Sequence, residues 1–358
     1  MVEYIRKPLL PTAVAVACLI LFGCASDALS SSNISEPPQS AQVVSVHDTE
    51  SSVEPSPSQI VSLPIYSKAV DENNILDENP ERTLTVYLPA GYEESEKSYP
   101  VVYYLHGFGE TPGNFIRANN HALNSEFSEN ENQFILVGVS ASNKSGGSFY
   151  ANSPVTGYFE DYVTQEVVAL IDSTYRTIAA AESRGLCGFS MGGFGTLYLG
   201  LRHPDIYGAI YAIGPGVSST DRFDTVLDSW KGDSWVMRAY GQAFAPNPDG
   251  EDPYCFTPAR DGSAADKPIM EQWLDGYANW DKKLDAYQAL DTPLSGIGIC
   301  YGTRDSYKWI PEGCEYLIDL MTERGITPTV YSFDGGHTIP PSGMRTLLVP
   351  FFREHLAF

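Results

Sequence analysis

From about residue 58, two hydrophobic rhythms alternate along the chain. "QIVSLPIY" and "RTLTVYLP" carry β-branched and aromatic residues bounded by Pro and Gly, which predicts strands. "YPVVYYLHGFG" and "NQFILVGVS" are continuous apolar runs, as in strands buried on both faces. "YFEDYVTQEVVALIDSTY" sets Tyr162, Val163, Val167, Leu170 and Ile171 at helical spacing. "SRGLCGF" then reads as a strand and "MGGFGTLYLGLRH" as a helix. "YGAIYAIGP" and "LSGIGICYG" are further strands, and "PEGCEYLIDLMTERG" is a helix with Gly325 as its stop signal. "TPTVYSFDGG" is the last strand, before a closing helix "GMRTLLVPFFREHL". Strands alternating with helices predict a parallel sheet with helical crossovers. Chemistry in such a sheet belongs at the carboxyl ends of its strands.

One stretch breaks the rhythm. Residues 217–294 are long, polar and rich in tryptophan (Trp230, Trp235, Trp273, Trp280), which suggests a lid-like insertion over the carboxyl edge of the sheet. The N-terminus stands outside the pattern too. Arg6 and Lys7 precede a 16-residue apolar run from Pro8 to Gly23, too short to span a membrane and right for a signal peptide. The run meets "LFGC", which resembles the lipobox of bacterial lipoproteins, so residues 1–23 read as a lipoprotein signal peptide and Cys24 as the lipidated residue. The competing readings are an uncleaved anchor and an ordinary secreted form. Residues 24–57 are rich in Ser, Pro and Glu and read as a flexible tether. A coil of that length reaches roughly 30 Å root-mean-square, enough to hold a domain clear of a membrane surface.

Composition adds two constraints. Of 358 residues, 43% are hydrophobic and 19% charged, a globular balance rather than a disordered one. Acidic residues number 45 against 22 basic, a formal charge of −23 that repels a phosphate backbone and points away from nucleic acid as a partner. Beyond the signal and Cys24, Cys187, Cys255, Cys300 and Cys314 remain, with no C-x-x-C spacing to suggest a metal site. Cys187 and Cys300 sit in apolar runs and read as buried thiols. Cys255 and Cys314 lie in loop-like contexts, where an extracytoplasmic location permits a disulfide.

The chemistry starts at "RGLCGFSMGGFGTLYLGL", residues 184–201. A G-x-S-x-G string is weak alone, but here a strand precedes it and a helix follows, the context of a nucleophile on a sharp turn. Gly188 and Gly192 permit the close strand–helix approach that such a turn needs. Ser190 needs a base to take its proton. Of the six histidines, His47 is in the tether, His121, His203 and His355 fall in helical contexts, and His106 is in "LHGFG". Only His337, in "FDGGHTIP", follows a final strand in a Gly/Pro-rich loop. Asp305 follows the strand "GIGICYG" and gives the order Ser, Asp, His; Asp334 and Glu312 are its competitors. Two backbone amides should face a developing oxyanion, Met191 after the serine and Phe108 in "YYLHGFGE".

"YYLHGFGE", "SFYANSPVTGYFEDYVTQEVVALIDSTYRT", "GLCGFSMGGFG" and "YGTRD…GGHTIP" together resemble the esterase D family of α/β-hydrolases. That family includes feruloyl esterases, S-formylglutathione hydrolase and acetyl-ester hydrolases. The resemblance covers roughly residues 60–358. It implies an α/β-hydrolase fold, a mostly parallel central sheet flanked by helices; the insertion, read from the broken rhythm, falls between the sixth and seventh core strands and is longer than expected of compact members. It also implies Ser190 as nucleophile, Asp305 and His337 as its partners, and Phe108 and Met191 as oxyanion donors. The chain departs from members ending "GGH-D-W": here the sequence is "GGHTIPP", without that Trp.

The expected activity is serine carboxylic-ester hydrolysis through an acyl-enzyme, without metal or cofactor. An exported, lipid-tethered esterase suits acyl or feruloyl esters of carbohydrate. Tyr150, Tyr158, Trp230, Trp235 and Trp280 are the candidates for stacking on substrate, against the alternative that they pack the core or lid. Cytosolic S-formylglutathione suits the export signal poorly. Acyl transfer to a carbohydrate acceptor uses the same three side chains. A catalytically silent carbohydrate-binding lipoprotein is the reading from another class.

Overall fold

The computed structural model describes residues 55–128, 131–231 and 234–358. The expected signal segment 1–23, Cys24 and most of the expected tether lie outside the described residues. Residues 55–57, assigned to the tether from composition, belong instead to the folded body. The Ser56 carbonyl accepts the Gly91 amide at 2.9 Å, and its hydroxyl donates to Glu94 at 2.9 Å. Two hydrogen bonds to a distant stretch of the chain hold Ser56 in place despite its loop-like composition.

Eight strands build one sheet: β1 (Gln59–Tyr66), β2 (Glu81–Leu88), β3 (Val101–Leu105), β4 (Ile135–Val139), β5 (Arg184–Phe189), β6 (Ala209–Ile213), β7 (Gly296–Gly302) and β8 (Thr329–Phe333). Their spatial order is β1-β2-β4-β3-β5-β6-β7-β8. β2 pairs antiparallel with both neighbours, and every other pairing is parallel. The central strands β3, β4 and β6 are buried along their whole length, which is why they read as unbroken apolar runs.

Side chains alternate across a strand, so each central strand feeds two cores. Val101, Tyr103 and Leu105 point into one, with Val137 and Leu186; Val102 and Tyr104 point into the other, with Leu136 and Cys187. Helical residues 159–174 and the helices Met191–Arg202 and Trp309–Glu323 cover the first core. The helix Pro112–Ser128 and helical residues 344–355 cover the second through Phe115, Ile116, Phe351 and Phe352. The closing helix begins as a π-helical turn, Met344–Leu348, just before Pro350, which has no amide to donate to a regular α ladder.

Between β6 and β7 the chain makes the helices Phe223–Ser229, Ser234–Phe244, Lys267–Leu274 and Trp280–Gln288. This insertion shares the first core. Tyr277 packs on Phe194 with ring centroids 4.9 Å apart, and Tyr240 packs on Tyr277 at 5.0 Å. The four described cysteines are free thiols. Cys314 is fully buried in the helix Trp309–Glu323, whereas Cys255 lies beside Gly241 and Trp273, so the disulfide considered for this pair is not formed. Among the described residues, no helix is long and apolar enough to cross a membrane.

A very close backbone contact lies at the end of β5. A Cβ on Gly192 would stand 1.9 Å from the Leu105 carbonyl oxygen, and one on Gly188 would stand 2.4 Å from the Gly192 oxygen. Backbone atoms cannot give way as a flexible side chain can. Gly192→Ala is therefore expected to lower unfolding free energy by about 3 kcal/mol or more, read by chemical denaturation. Gly336→Ala, whose nearest neighbour would be 3.9 Å away, should change it by less than about 0.5 kcal/mol.

Candidate active site

Parallel strands deliver their carboxyl ends to one edge, and five of the loops leaving that edge converge. β3 ends at Leu105 and leads into 106–110. β5 ends at Phe189 and turns at Ser190. β6 ends at Ile213 before Gly214–Gly216. β7 and β8 lead to Asp305 and His337. These three loop residues come together although 147 positions separate Ser190 from His337.

Ser190 has φ 57° and ψ −115°, a backbone conformation that L-residues avoid and that costs on the order of 1–3 kcal/mol. Its own amide is anchored on the Ile213 carbonyl at 2.9 Å, and Phe194 returns a hydrogen bond to its carbonyl at 2.9 Å. The hydroxyl is thereby held at the head of the helix Met191–Arg202. His337 Nε2 lies 2.8 Å from Ser190 Oγ, and His337 Nδ1 lies 2.7 Å from Asp305 Oδ2. Asp305 is 1% exposed, and its other oxygen accepts the Tyr307 amide at 2.8 Å. A carboxylate on Nδ1 fixes the tautomer that leaves Nε2 free to take the serine proton.

The loops bearing Asp305 and His337 are laced together by backbone bonds. Thr303 donates to the Phe333 carbonyl at 2.9 Å and Arg304 to the Gly335 carbonyl at 2.8 Å. Of the competing carboxylates, Asp334 is exposed and paired with Arg304, and Glu312 is exposed in the helix Trp309–Glu323. His337 is also clasped by rings, Phe189 at 4.9 Å and Tyr307 at 5.4 Å between centroids.

The loop after β3 is braced for a different task. The Gly107 amide donates to Glu110 at 3.0 Å and the Gly109 amide to the Gly146 carbonyl at 3.1 Å. Between them, the Phe108 amide makes no hydrogen bond among the described residues, and nor does the Met191 amide at the helix start. Unengaged amides beside a nucleophile can receive an oxyanion. His106 supports the loop from beneath. Its Nε2 accepts the Ala141 amide at 3.1 Å, so Nδ1 carries the proton donated to the Gly107 carbonyl at 2.8 Å. Burial pushes the His106 imidazole below its usual range, which keeps it neutral in this role.

Around Ser190 lies a cleft of about 250 Å³ walled by aromatic side chains, among them Phe149, Trp230, Tyr277, Tyr307 and Trp309. Of the five aromatics singled out from sequence, Trp230 alone lines it. Tyr150 is fully buried, with φ 57°, and its hydroxyl donates to the His106 carbonyl at 2.8 Å, bracing the loop after β3. Trp280 is fully buried against Phe194, its indole N–H on the Tyr277 carbonyl. Tyr158 pairs with Asn152 in a two-residue antiparallel ladder outside the cleft. Trp235 is 60% exposed and lines a separate depression with Arg238 and Trp273. Trp309 and Tyr307 were missed. They follow Asp305 in "DSYKWIPEG", and Trp309 begins the helix that the sequence pattern starts at Pro311.

Sheet, crossovers, strained turn and the Ser190–His337–Asp305 chain define an α/β-hydrolase. The chain belongs to the Esterase family, whose model matches residues 77–340. Over 139 residues it is 32% identical to an endo-1,4-beta-xylanase/feruloyl esterase of Xylanibacter ruminicola; the match covers 36% of this chain and only 18% of that one. Solved structures share the fold. A ferulic acid esterase superposes with TM-score 0.57 at 22% identity, over 83% of this chain and 99% of that one. An S-formylglutathione hydrolase of Staphylococcus aureus gives 0.55 at 16%, over 83% and 98%. A ferulic acid esterase of Anaeromyces mucronatus, in complex with ferulic acid, gives 0.53 at 19%, over 86% and 93%.

The geometry separates the candidate carboxylates. Asp305→Asn should lower kcat for p-nitrophenyl acetate by about 10³–10⁴, because the wrong imidazole tautomer is then stabilised. Asp334→Asn should change it less than about three-fold, since removing an exposed ion pair has little energetic consequence. Equal losses in a steady-state assay would overturn the assignment of Asp305.

Proposed function

We propose that Ser190 is the nucleophile, His337 its general base and Asp305 the residue that orients the base, in a two-step hydrolysis of acyl or feruloyl esters of carbohydrate. The observation that carries this reading is the unbroken hydrogen-bonded chain from Asp305 through His337 to Ser190. His337 takes the Ser190 proton as the oxygen attacks the ester carbonyl. The amides of Phe108 and Met191 hold the oxyanion, and loss of one such donor typically lowers the rate ~10²–10³. His337 then protonates the leaving alcohol. Water, deprotonated by the same imidazole, releases the acid and restores the serine.

The aromatic wall supports an aromatic acyl group, since Trp230, Tyr277 and Trp309 line the cleft beside the nucleophile. The relative named as a feruloyl esterase agrees with that choice. The apolar run ending at Cys24 supports export and a lipid anchor, placing the enzyme outside the cytoplasm on a membrane surface.

The first test compares wild type with Ser190→Ala on p-nitrophenyl acetate, butyrate and ferulate and on methyl ferulate. Ser190→Ala should lose about 10³-fold or more in kcat on all of them. Equal rates for the two proteins would sink the nucleophile assignment. Trp309→Ala should lower kcat/KM for ferulate about ten-fold, equivalent to ~1.4 kcal/mol, and leave acetate within about three-fold. A uniform loss would deny the tryptophan a role in acyl recognition.

A further inference from the structure

A second, larger cavity of about 500 Å³ lies between the helix Met191–Arg202 and the helix Trp280–Gln288. Its apolar lining includes Leu197, Leu201 and Phe244, while Arg202, Lys282 and Lys283 bring cations to it. That convergence is out of keeping with a chain holding 22 basic residues against 45 acidic ones. Most of the local charge is already matched. Arg202 and His203 hold Glu160 at 3.0 and 2.7 Å, and Lys282 pairs with Asp275 at 3.3 Å. Lys283 has no carboxylate partner among the described residues. Its ammonium donates to the Ala278 carbonyl and lies 5.0 Å from the centroid of the Trp280 ring.

Two features mark this lysine as waiting for an anion. It stands in the first turn of its helix, where the dipole disfavours a cation and favours a negative charge. Burial also pushes its ammonium down to about 7; Asp275 opposes that shift, and Lys282 and Arg202 reinforce it. A half-buried ammonium held only by a backbone carbonyl and a tryptophan ring lacks a counter-charge, and an incoming carboxylate would supply one.

We infer that this cavity is a binding site for a small amphipathic carboxylate, its apolar body on Leu197, Leu201 and Phe244 and its charge on Lys283. The volume and the balance of an apolar lining with one focused charge are those of small-molecule sites. The cavity lies apart from the Ser190 cleft, and no residue lines both. The inference therefore stands independently of how the ester is cleaved.

Isothermal titration calorimetry tests it with octanoate and cinnamate, and with octanamide and cinnamamide as uncharged counterparts. Wild type should bind one of the acids saturably, and the matching amide about ten-fold more weakly or worse, a loss of ~1.4 kcal/mol. Lys283→Met should weaken the acid by about ten-fold, and Ala286→Trp, on an exposed helix position lining the cavity, should block it. Both variants should keep wild-type turnover of p-nitrophenyl acetate, which shows that they are folded. Preference for octanoate or cinnamate reports whether the bound body is aliphatic or aromatic. No saturable binding of either acid, equal binding of the amides, or unchanged binding in both variants would each overturn the proposal.

Discussion

The contact on which the rest depends is the approach of Gly192 to the carbonyl of Leu105, so close that a methyl group would stand 1.9 Å from the oxygen. It sets the helix Met191–Arg202 directly against the end of β3 and forces the chain to turn within a single residue. That residue is Ser190, held with φ 57°. The turn stores strain, and the sheet sustains it by anchoring the Ser190 amide on β6 and packing the helix over both neighbouring strands. Without the glycine the helix would stand off. The serine would then lose its position relative to His337, and the Met191 amide its position beside the serine.

From that turn the site spreads sideways through backbone bonds rather than through long side-chain networks. The Asp305 and His337 loops are tied to each other, and the loop after β3 is tied to Glu110, Gly146 and the neutral His106. Side chains held by backbone need little reorganisation when charge moves. That is the property the proposed mechanism requires of the serine, the imidazole and the two amides. Burial of Asp305 adds to it, since a carboxylate away from water interacts more strongly with the imidazole beside it.

The insertion contributes shape rather than chemistry to the cleft. Trp230, Val236 and Tyr277 come from it, and Phe149, Tyr307 and Trp309 meet them from outside it. On its far side the same insertion closes the second cavity over the helix Met191–Arg202. One inserted helical segment therefore forms a wall of two separate recesses.

By itself the sequence determined the order of the eight sheet strands and several of the helices between them, the sheet class, the sharp turn at the serine and its hydrogen-bonded partners His337 and Asp305. These rest on local signals: an apolar run, a helical period, a glycine on either side of a serine, a His in a Gly/Pro-rich loop after the last strand. Only the tertiary structure decided which aromatics face the cleft. Tyr150 and Trp230 read alike in sequence, yet one is a buried brace under His106 and the other a wall of the site. Likewise Trp280 turned inward and Trp235 outward within one insertion. The direction of such a side chain is set by neighbours far away along the chain, and hydrophobicity records only that a residue prefers cover, not what covers it. Lys283 is the polar counterpart. Nothing in "WDKKLDAYQ" separates it from Lys282, and only the packing of two helices left Lys282 paired with Asp275 and Lys283 on a backbone carbonyl beside the same cavity.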